Sequence, residues 1–214
     1  MSGPRILLAV LCFAALLLWA ALAGGSDADL ARGTAETDKA FAAVEQEIAA
    51  LDPDYQALRS QGLVLGLREQ VDQLRNKLAG LKSRRVQLST DQSVEKRLRL
   101  PLLKDLVEES DVLLALAQQL HRECSALVAW RAQSGPLLAE AGRQRAELAA
   151  GTETDDARRA RIAALASGLG AIELRVPMVD KLMHDNVDQG TRYGESTLAE
   201  LRQLVAEQAR LLGH

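Results

Sequence analysis

Apolar residues recur at alternating intervals of three and four positions through most of this 214-residue chain. The longest such series is Leu103, Leu106, Ser110, Leu113, Ala117, Leu120, Cys124 and Leu127. This spacing keeps the apolar residues on one face of an α-helix, as in helical bundles and coiled coils. Ala, Glu, Lys, Leu and Arg supply 115 of the 214 residues, whereas aromatics supply only 3%, which argues against a β-sandwich or barrel. The sequence therefore predicts an all-α protein.

Two polar turn clusters, at residues 89–93 and 150–155, divide the body of the chain into three helical stretches. The stretches cover about residues 30–88, 94–149 and 155–212 and are nearly equal in length. Because short turns join antiparallel neighbours, we predict one domain, residues 24–214, folded as a long up-down-up three-helix bundle. At ~1.5 Å per residue, such a rod would be roughly 85 Å long. An extended parallel homodimer with shorter hairpins is the competing arrangement.

Several residues are predicted to interrupt these stretches. Asp52 followed by Pro53 resembles a helix start, so the first stretch is either two helices meeting near Asp52 or one kinked helix. Pro101 and Pro136 are expected to kink or restart the second stretch. In the third stretch the apolar register slips near Gly190.

The N-terminal segment, residues 1–23, is predicted to be a signal peptide or a retained signal-anchor helix. Eighteen uncharged residues run from Ile6 to Ala23, after Arg5 and before the acidic residues that begin at Asp27. This charge asymmetry predicts a cytoplasmic N-terminus and an exported body, on the periplasmic or other extracytoplasmic face of a membrane. Later apolar runs are all interrupted by charges, so no second span is expected.

The sequence offers no catalytic, cofactor-binding or metal-binding group, and we expect no enzyme. His121 and Cys124 share a helix face but lack the further ligands of a zinc site. Asp180, His184 and Asp188 line one face at intervals of four and are interpreted as a solvated polar stripe. Cys124 is the one cysteine of the exported part, which excludes an internal disulfide there, and it falls on the apolar stripe as a core residue.

Two glycine pairs are predicted to mark a close approach between helices. Gly62 and Gly66 lie about as far along the first stretch as Gly190 and Gly194 lie along the third. In the up-down-up arrangement these stretches run the same way, so the four glycines would share one level. Glycine costs about 1 kcal/mol in a helix interior relative to alanine, which suggests close packing or a local opening at that level.

Basic residues are concentrated around the first predicted turn. Residues 75–104 contain nine basic and two acidic side chains. The candidate contact residues for an anionic partner are Arg84, Arg85, Lys96, Arg97 and Arg99. In the rod arrangement this hairpin would be the tip farthest from the N-terminal segment. Nucleic acid is a disfavoured partner, because the body is exported and no aromatic side chain interleaves the cluster.

These features together predict a non-enzymatic, exported or membrane-anchored coiled-coil scaffold or spacer without a cofactor. Its partner would be a protein or an anionic envelope component, with the membrane contacted through the uncleaved N-terminal helix, and homo-oligomers fit the heptad pattern. The alternative is a small-ligand-binding helical sensor domain with its pocket near the glycine level. A pocket lined by Tyr55, Trp130 or Tyr193 would favour the sensor.

Overall fold

The computed structural model describes residues 27–61, 66–91, 94–151 and 154–213, and the regular structure in these ranges is entirely α-helical. The helices are α1 (Asp27–Ser60), α2 (Leu67–Thr90), α3 (Lys96–Ala150), α4 (Asp156–Asp185) and α5 (Val187–Leu212). The prediction of an all-α chain is confirmed over these residues. The predicted N-terminal helix, residues 1–23, lies outside them.

The first predicted stretch, residues 30–88, is not one helix, and it does not break at Asp52. Pro53 lies inside α1, which continues to Ser60. A second helix begins at Leu67, directly after Gly66, which adopts a left-handed conformation with φ of 92°. Glycine tolerates this conformation because it has no Cβ. The interruption of the apolar pattern between Leu58 and Leu67 is therefore a turn between two helices.

The third predicted stretch, residues 155–212, is also two helices. Asn186 ends α4 through a hydrogen bond from its backbone N–H to the Leu182 carbonyl. Its side-chain oxygen accepts a bond from the Gln189 N–H and so caps α5. The register slip near Gly190 reflects this change of helix. At the other end of α4, Asp155 is the N-cap and accepts a bond from the Ala157 N–H.

The second predicted stretch, residues 94–149, is confirmed as the single helix α3, Lys96–Ala150. It runs through both Pro101 and Pro136 without a break, so neither residue restarts the helix. Its apolar positions from Leu103 to Leu127 are buried, as the spacing predicts.

The chain divides into two compact units. Unit 1 contains α1 up to Ala50, α2 from Arg68 and α3 up to Gln118; unit 2 contains the rest of α1 and α3 together with α4 and α5. The divisions thus fall inside α1 and α3 and at the start of α2.

In unit 1, α1 and α2 are antiparallel, because Asp38 pairs with Arg85 and Glu45 with Lys82. The α3 segment runs parallel to α1. Thr37 is fully buried at this contact, where its hydroxyl donates to the Gly33 carbonyl of its own helix at 2.8 Å and lies 3.3 Å from the Leu103 carbonyl of α3. The buried apolar side chains are Phe41, Val44, Val71, Leu74, Leu78, Leu81, Leu103, Leu106, Leu113 and Ala117.

In unit 2, α4 and α5 form an antiparallel hairpin, with ion pairs from Arg175 to Glu200 and from Arg161 to Glu207. The α3 segment runs antiparallel to α4. An apolar cluster of Ala141, Leu169, Ile172, Leu201 and Leu204 joins the three helices. The first and third predicted stretches are therefore hairpins, and this is why the chain does not form three equal helices.

Among the described helices, α4 is long and apolar enough to cross a membrane by length and composition, with a mean hydropathy of 1.5 over its best window. This apolar stretch was not predicted as a span from the sequence, because Glu173 and Arg175 lie within it. Both charges are partnered: Glu173 pairs with Arg145 of α3, and Arg175 with Glu200 of α5.

Candidate functional site

The basic residues predicted to contact an anionic partner lie at one end of unit 1, which we call the basic end. Here α1 begins, α2 ends and α3 begins. Arg84 of α2 donates two hydrogen bonds, of 2.8 and 2.7 Å, to the carboxylate of Glu109 on α3. Arg85 donates to Asp38 of α1 at 2.7 Å. Two of the predicted residues therefore hold unit 1 together as well as carrying charge.

Arg99 fastens the turn between α2 and α3. Its Nε donates to the Val94 carbonyl at 3.1 Å, and its Nη2 donates to the Asp91 carbonyl at 2.7 Å. Because carbonyls carry no formal charge, the positive charge of Arg99 is not neutralised by these bonds. Lys96 and Arg97 occupy the first turn of α3, and their side chains lie outside the described part of the structure.

A small cavity of about 200 Å³ opens at the basic end. Its lining combines two guanidinium groups, two hydroxyls and three leucines: Leu30, Thr34, Arg85, Leu88, Ser89, Arg99 and Leu103. The Nε of Arg85 is buried and has no hydrogen-bond partner among the described residues. Guanidinium donors of this kind suit phosphate or carboxylate oxygens.

Two large apolar side chains are also exposed at the basic end. Val86 is 55% exposed near the end of α2, and Leu98 is 52% exposed in the first turn of α3. They are separated in sequence by the turn that Arg99 fastens. The surface therefore combines cationic and apolar groups, a mixture that sequence spacing did not reveal, because Val86 and Leu98 lie off the regular apolar pattern.

The structure places the basic hairpin beside the start of α1 and not at the end of the unit far from it. Gly33 faces Leu100 of α3, since a Cβ added to this glycine would lie 3.0 Å from that leucine's Cδ1. The expectation of a distal tip is wrong, because it assumed that residues 30–88 form one helix. As α1 and α2 form a hairpin, the end of α2 returns to the start of α1.

A second, larger cavity of unit 1 is a groove of about 650 Å³ between α2 and α3. Its lining includes Gly80, Leu81 and Leu113, with Val112 69% exposed nearby. A Cβ added to Gly80 would meet no atom within 4 Å, so the groove is open at that point.

Unit 2 contains a hydrogen-bonded pair of titratable side chains, Glu123 and His184, that was not predicted from the sequence. Glu123 of α3 is 2% exposed and bonds to His184 Nδ1 of α4. Burial raises the pKa of the Glu123 carboxyl, an effect that the hydrogen bond and charge of His184 oppose and the nearby Asp185 reinforces. His184 was noted only as part of a polar stripe. Glu123 directly precedes Cys124, a residue of the apolar face, and this position was the sequence feature that could have indicated its burial.

The three residues of the predicted polar stripe, Asp180, His184 and Asp188, have different surroundings in the structure. Asp180 forms an ion pair with Arg131 of α3 at 2.7 Å, while His184 meets Glu123. Asp188 is exposed in the first turn of α5. Across the described ranges, no three His, Cys, Asp or Glu side chains are grouped closely enough to hold a metal ion.

The glycine pairs do not bring the first and third predicted stretches together as expected. Gly190 lies against Met183, so the close approach is between α5 and α4 within one hairpin. Gly194 packs against Met183 and Val179 of α4 and against Trp130 of α3. Gly66 lies in the α1–α2 turn facing His184, and Gly62 falls outside the described residues.

Comparison with known proteins gives no relative: no family model, curated protein or solved structure matches this chain.

Proposed function

We propose that this chain is a non-enzymatic helical scaffold, exported and held at the outer face of a membrane by residues 1–23, with an anionic partner at its basic end. The observation that carries the scaffold proposal is the use of charged side chains as links between helices. In unit 1, α2 is joined to α1 and α3 by Arg85–Asp38 and Arg84–Glu109. In unit 2, the buried Glu123 is paired with His184.

The packing of each unit supports a scaffold in the same way. Most of the buried heptad positions are filled by aliphatic side chains, and three helical segments close around the core of unit 1 and four around that of unit 2. The finer arrangement proposed here is a three-helix bundle in unit 1 and, in unit 2, a bundle of α3, α4 and α5 with the end of α1. The helix α3 contributes to both. Such cores fix helix positions without requiring a bound ligand.

The anchor can be tested with the full chain carrying a C-terminal tag in a bacterial host. We expect an uncleaved protein in carbonate-washed membranes, digested by protease added to spheroplasts. The matched control is Leu16→Arg, which places a charge inside the apolar run and should move the chain to the cytosol. A soluble periplasmic product beginning at Gly24 would show a cleaved signal peptide and contradict the anchor, and a cytosolic wild type would contradict export as well.

The groove between α2 and α3 favours a second candidate function, the small-ligand sensor. It is apolar and large enough for a small molecule. However, neither of the two cavities described above is lined by Tyr55, Trp130 or Tyr193, the residues expected for a sensor pocket. Gly80→Leu should narrow the groove by placing a side chain in its open part. A sensor would then lose binding of an apolar fluorescent probe, while a scaffold would show little binding in either form.

A further inference from the structure

The start of α1 determines which end of unit 1 lies nearest to the proposed membrane anchor. The uncharged run ends at Ala23, and α1 begins at Asp27. Four residue steps span at most about 14 Å even when fully extended. The headgroup layer is itself roughly 5–7 Å thick, and charges act over a Debye length of ~8 Å at physiological salt. The end of unit 1 where α1 begins is therefore held within reach of lipid headgroups.

That same end carries an excess of positive charge. Residues 27–35, 84–91 and 94–104 meet there and contain seven cationic side chains: Arg32, Arg84, Arg85, Lys96, Arg97, Arg99 and Lys104. They also contain four acidic ones: Asp27, Asp29, Asp91 and Glu95. Glu109 and Asp38, the partners of Arg84 and Arg85, lie just outside these ranges, and counting them leaves an excess of one positive charge at this end. The whole chain has a formal charge of −3.

The apolar side chains at the basic end favour a membrane over a soluble anion. Val86 and Leu98 are more than half exposed, close to Arg85 and Arg99 in sequence. An apolar side chain beside cations is the composition that binds at the boundary between headgroups and acyl chains. The cavity lined by Arg85 and Arg99 adds guanidinium donors suited to a lipid phosphate.

From these observations we propose that the basic end of unit 1 docks on the anionic lipid leaflet from which the N-terminal segment emerges. This inference rests on the proposed membrane anchor. The docked unit would be fixed at two points, the apolar segment and the basic end, with Leu98 at the level of the lipid headgroups.

A fluorophore attached to α3 tests the docking in the full chain reconstituted into vesicles. The label is placed by Leu98→Cys in a Cys12→Ala background, where the buried Cys124 should not react. The matched control is Val112→Cys, also an exposed apolar position of α3, roughly 21 Å farther along the helix at ~1.5 Å per residue. The vesicles contain phosphatidylcholine with or without phosphatidylglycerol, plus a lipid with a nitroxide quencher on its headgroup.

We expect strong quenching at position 98 only when phosphatidylglycerol is present, weak quenching at position 112, and loss of the difference at high salt. Removing two cations by Lys96→Gln with Arg97→Gln should reduce the docking equilibrium roughly 30-fold, as each cation near an anionic surface contributes about fivefold. Lys39→Gln with Lys77→Gln removes the same charge from exposed positions elsewhere in unit 1 and should change quenching little.

Flotation of the labelled chain with the vesicles after a high-salt wash separates the two proposals. A chain that does not float overturns both the anchor and the docking. A chain that floats, yet shows equal quenching at positions 98 and 112 or no dependence on phosphatidylglycerol, overturns the docking alone. A response of the position 98 label to soluble heparin but not to anionic vesicles would assign the surface to a polysaccharide and also overturn it.

Discussion

At Gly190 the backbone of α5 meets that of α4 with no space for a side chain. A Cβ there would lie 2.5 Å from the Cα of Met183, which is backbone and cannot turn away. Gly194, one turn later, is tight only against side chains, with Met183 Cε 3.1 Å from the position of a Cβ. Gly142 of α3 has no atom within 4 Å of that position. These three glycines therefore differ in their surroundings: Gly190 is limited by backbone, Gly194 by side chains, and Gly142 by neither.

We expect Gly190→Ala to lower the free energy of unfolding by about 2–3 kcal/mol, because the α4–α5 hairpin must open to admit the methyl group. Gly142→Ala should instead raise it by about 0.5–1 kcal/mol, since alanine is the better helix former where space allows. Urea denaturation of both variants checks the pair. A stability for Gly190→Ala equal to or above that of the wild type would contradict the close approach.

The thiol of Cys124 is expected to be unreactive in the folded chain. Burial raises its pKa to about 12, with the charges of Glu123 and Asp54 adding to the effect. Since the thiolate is the reactive form, a Cys12→Ala variant should react with a disulfide reagent at neutral pH at least about a thousandfold more slowly than an exposed cysteine. Addition of denaturant should restore full reactivity. Rapid reaction under native conditions would contradict the burial of Cys124.

The buried Glu123 predicts a specific dependence of stability on pH. Because burial raises the pKa of its carboxyl above the ordinary 4.5, the folded state binds the proton more tightly than the unfolded state. The contribution of this group to stability is therefore greatest below about pH 4.5 and declines as the pH rises through the folded pKa. The variant Glu123→Gln should become more stable relative to wild type between about pH 4 and about pH 7.

The exposed substitution Glu36→Gln serves as the control for this pH series, since it removes a carboxylate without a buried partner. Chemical denaturation across the series measures the difference in free energy of unfolding. A free energy of unfolding of Glu123→Gln that falls relative to that of wild type as the pH rises would contradict the raised pKa.

At the scale of elements, sequence spacing identified helix faces well and helix ends poorly. The bounds of α3 lie within two residues of the predicted 94–149, and its apolar positions are buried. The α1–α2 turn and the Asn186 break were not predicted as reversals. A slip in the apolar register looks the same whether a helix shifts its face or the chain turns back. The choice depends on contacts such as Arg85 with Asp38, which lie 47 residues apart and leave no local pattern.

The candidate site shows the same division between local and distant information. The excess of basic residues near the first turn is visible in the sequence, but its position beside the start of α1 is not, because it depends on the α1–α2 hairpin. Likewise, the pairing of Glu123 with His184 depends on the antiparallel packing of α3 and α4. Neither Glu123 nor His184 lies in a local sequence motif that would predict this contact.

The helix break at Asn186 gives a prediction at this scale. Its side chain satisfies the Gln189 N–H at the start of α5, at 3.0 Å. Asn186→Ala should therefore lower the free energy of unfolding by about 1 kcal/mol, and Asn186→Gly by only a few tenths, as is typical of N-cap positions. Urea midpoints measure both. Equal stability of the alanine variant and wild type would show that the cap is not needed and that packing alone sets the break.

For the whole molecule, the important fact is that the two units share helices. The chain passes from one unit to the other within α1, at the start of α2 and within α3. Unit 1 uses α3 up to Gln118, and unit 2 uses it from Gln119. Because helix formation is cooperative, loss of either half of α3 is expected to weaken the other half. A unit that loses its α3 segment also loses one of the helical segments around its core.

We therefore expect the two units to unfold as one cooperative system. Gly190→Ala, which acts in unit 2, should reduce amide hydrogen-exchange protection in α2 of unit 1 by about the same factor as in α5, roughly 30-fold for about 2 kcal/mol. Gly142→Ala should raise protection in both places and serves as the control of opposite sign. Mass spectrometry of peptides covering Val71–Leu81 and Leu198–Leu204 provides the measurement. If Gly190→Ala lowers protection in α5 and leaves α2 unchanged, the units unfold independently, and the continuity of α3 does not couple their stabilities.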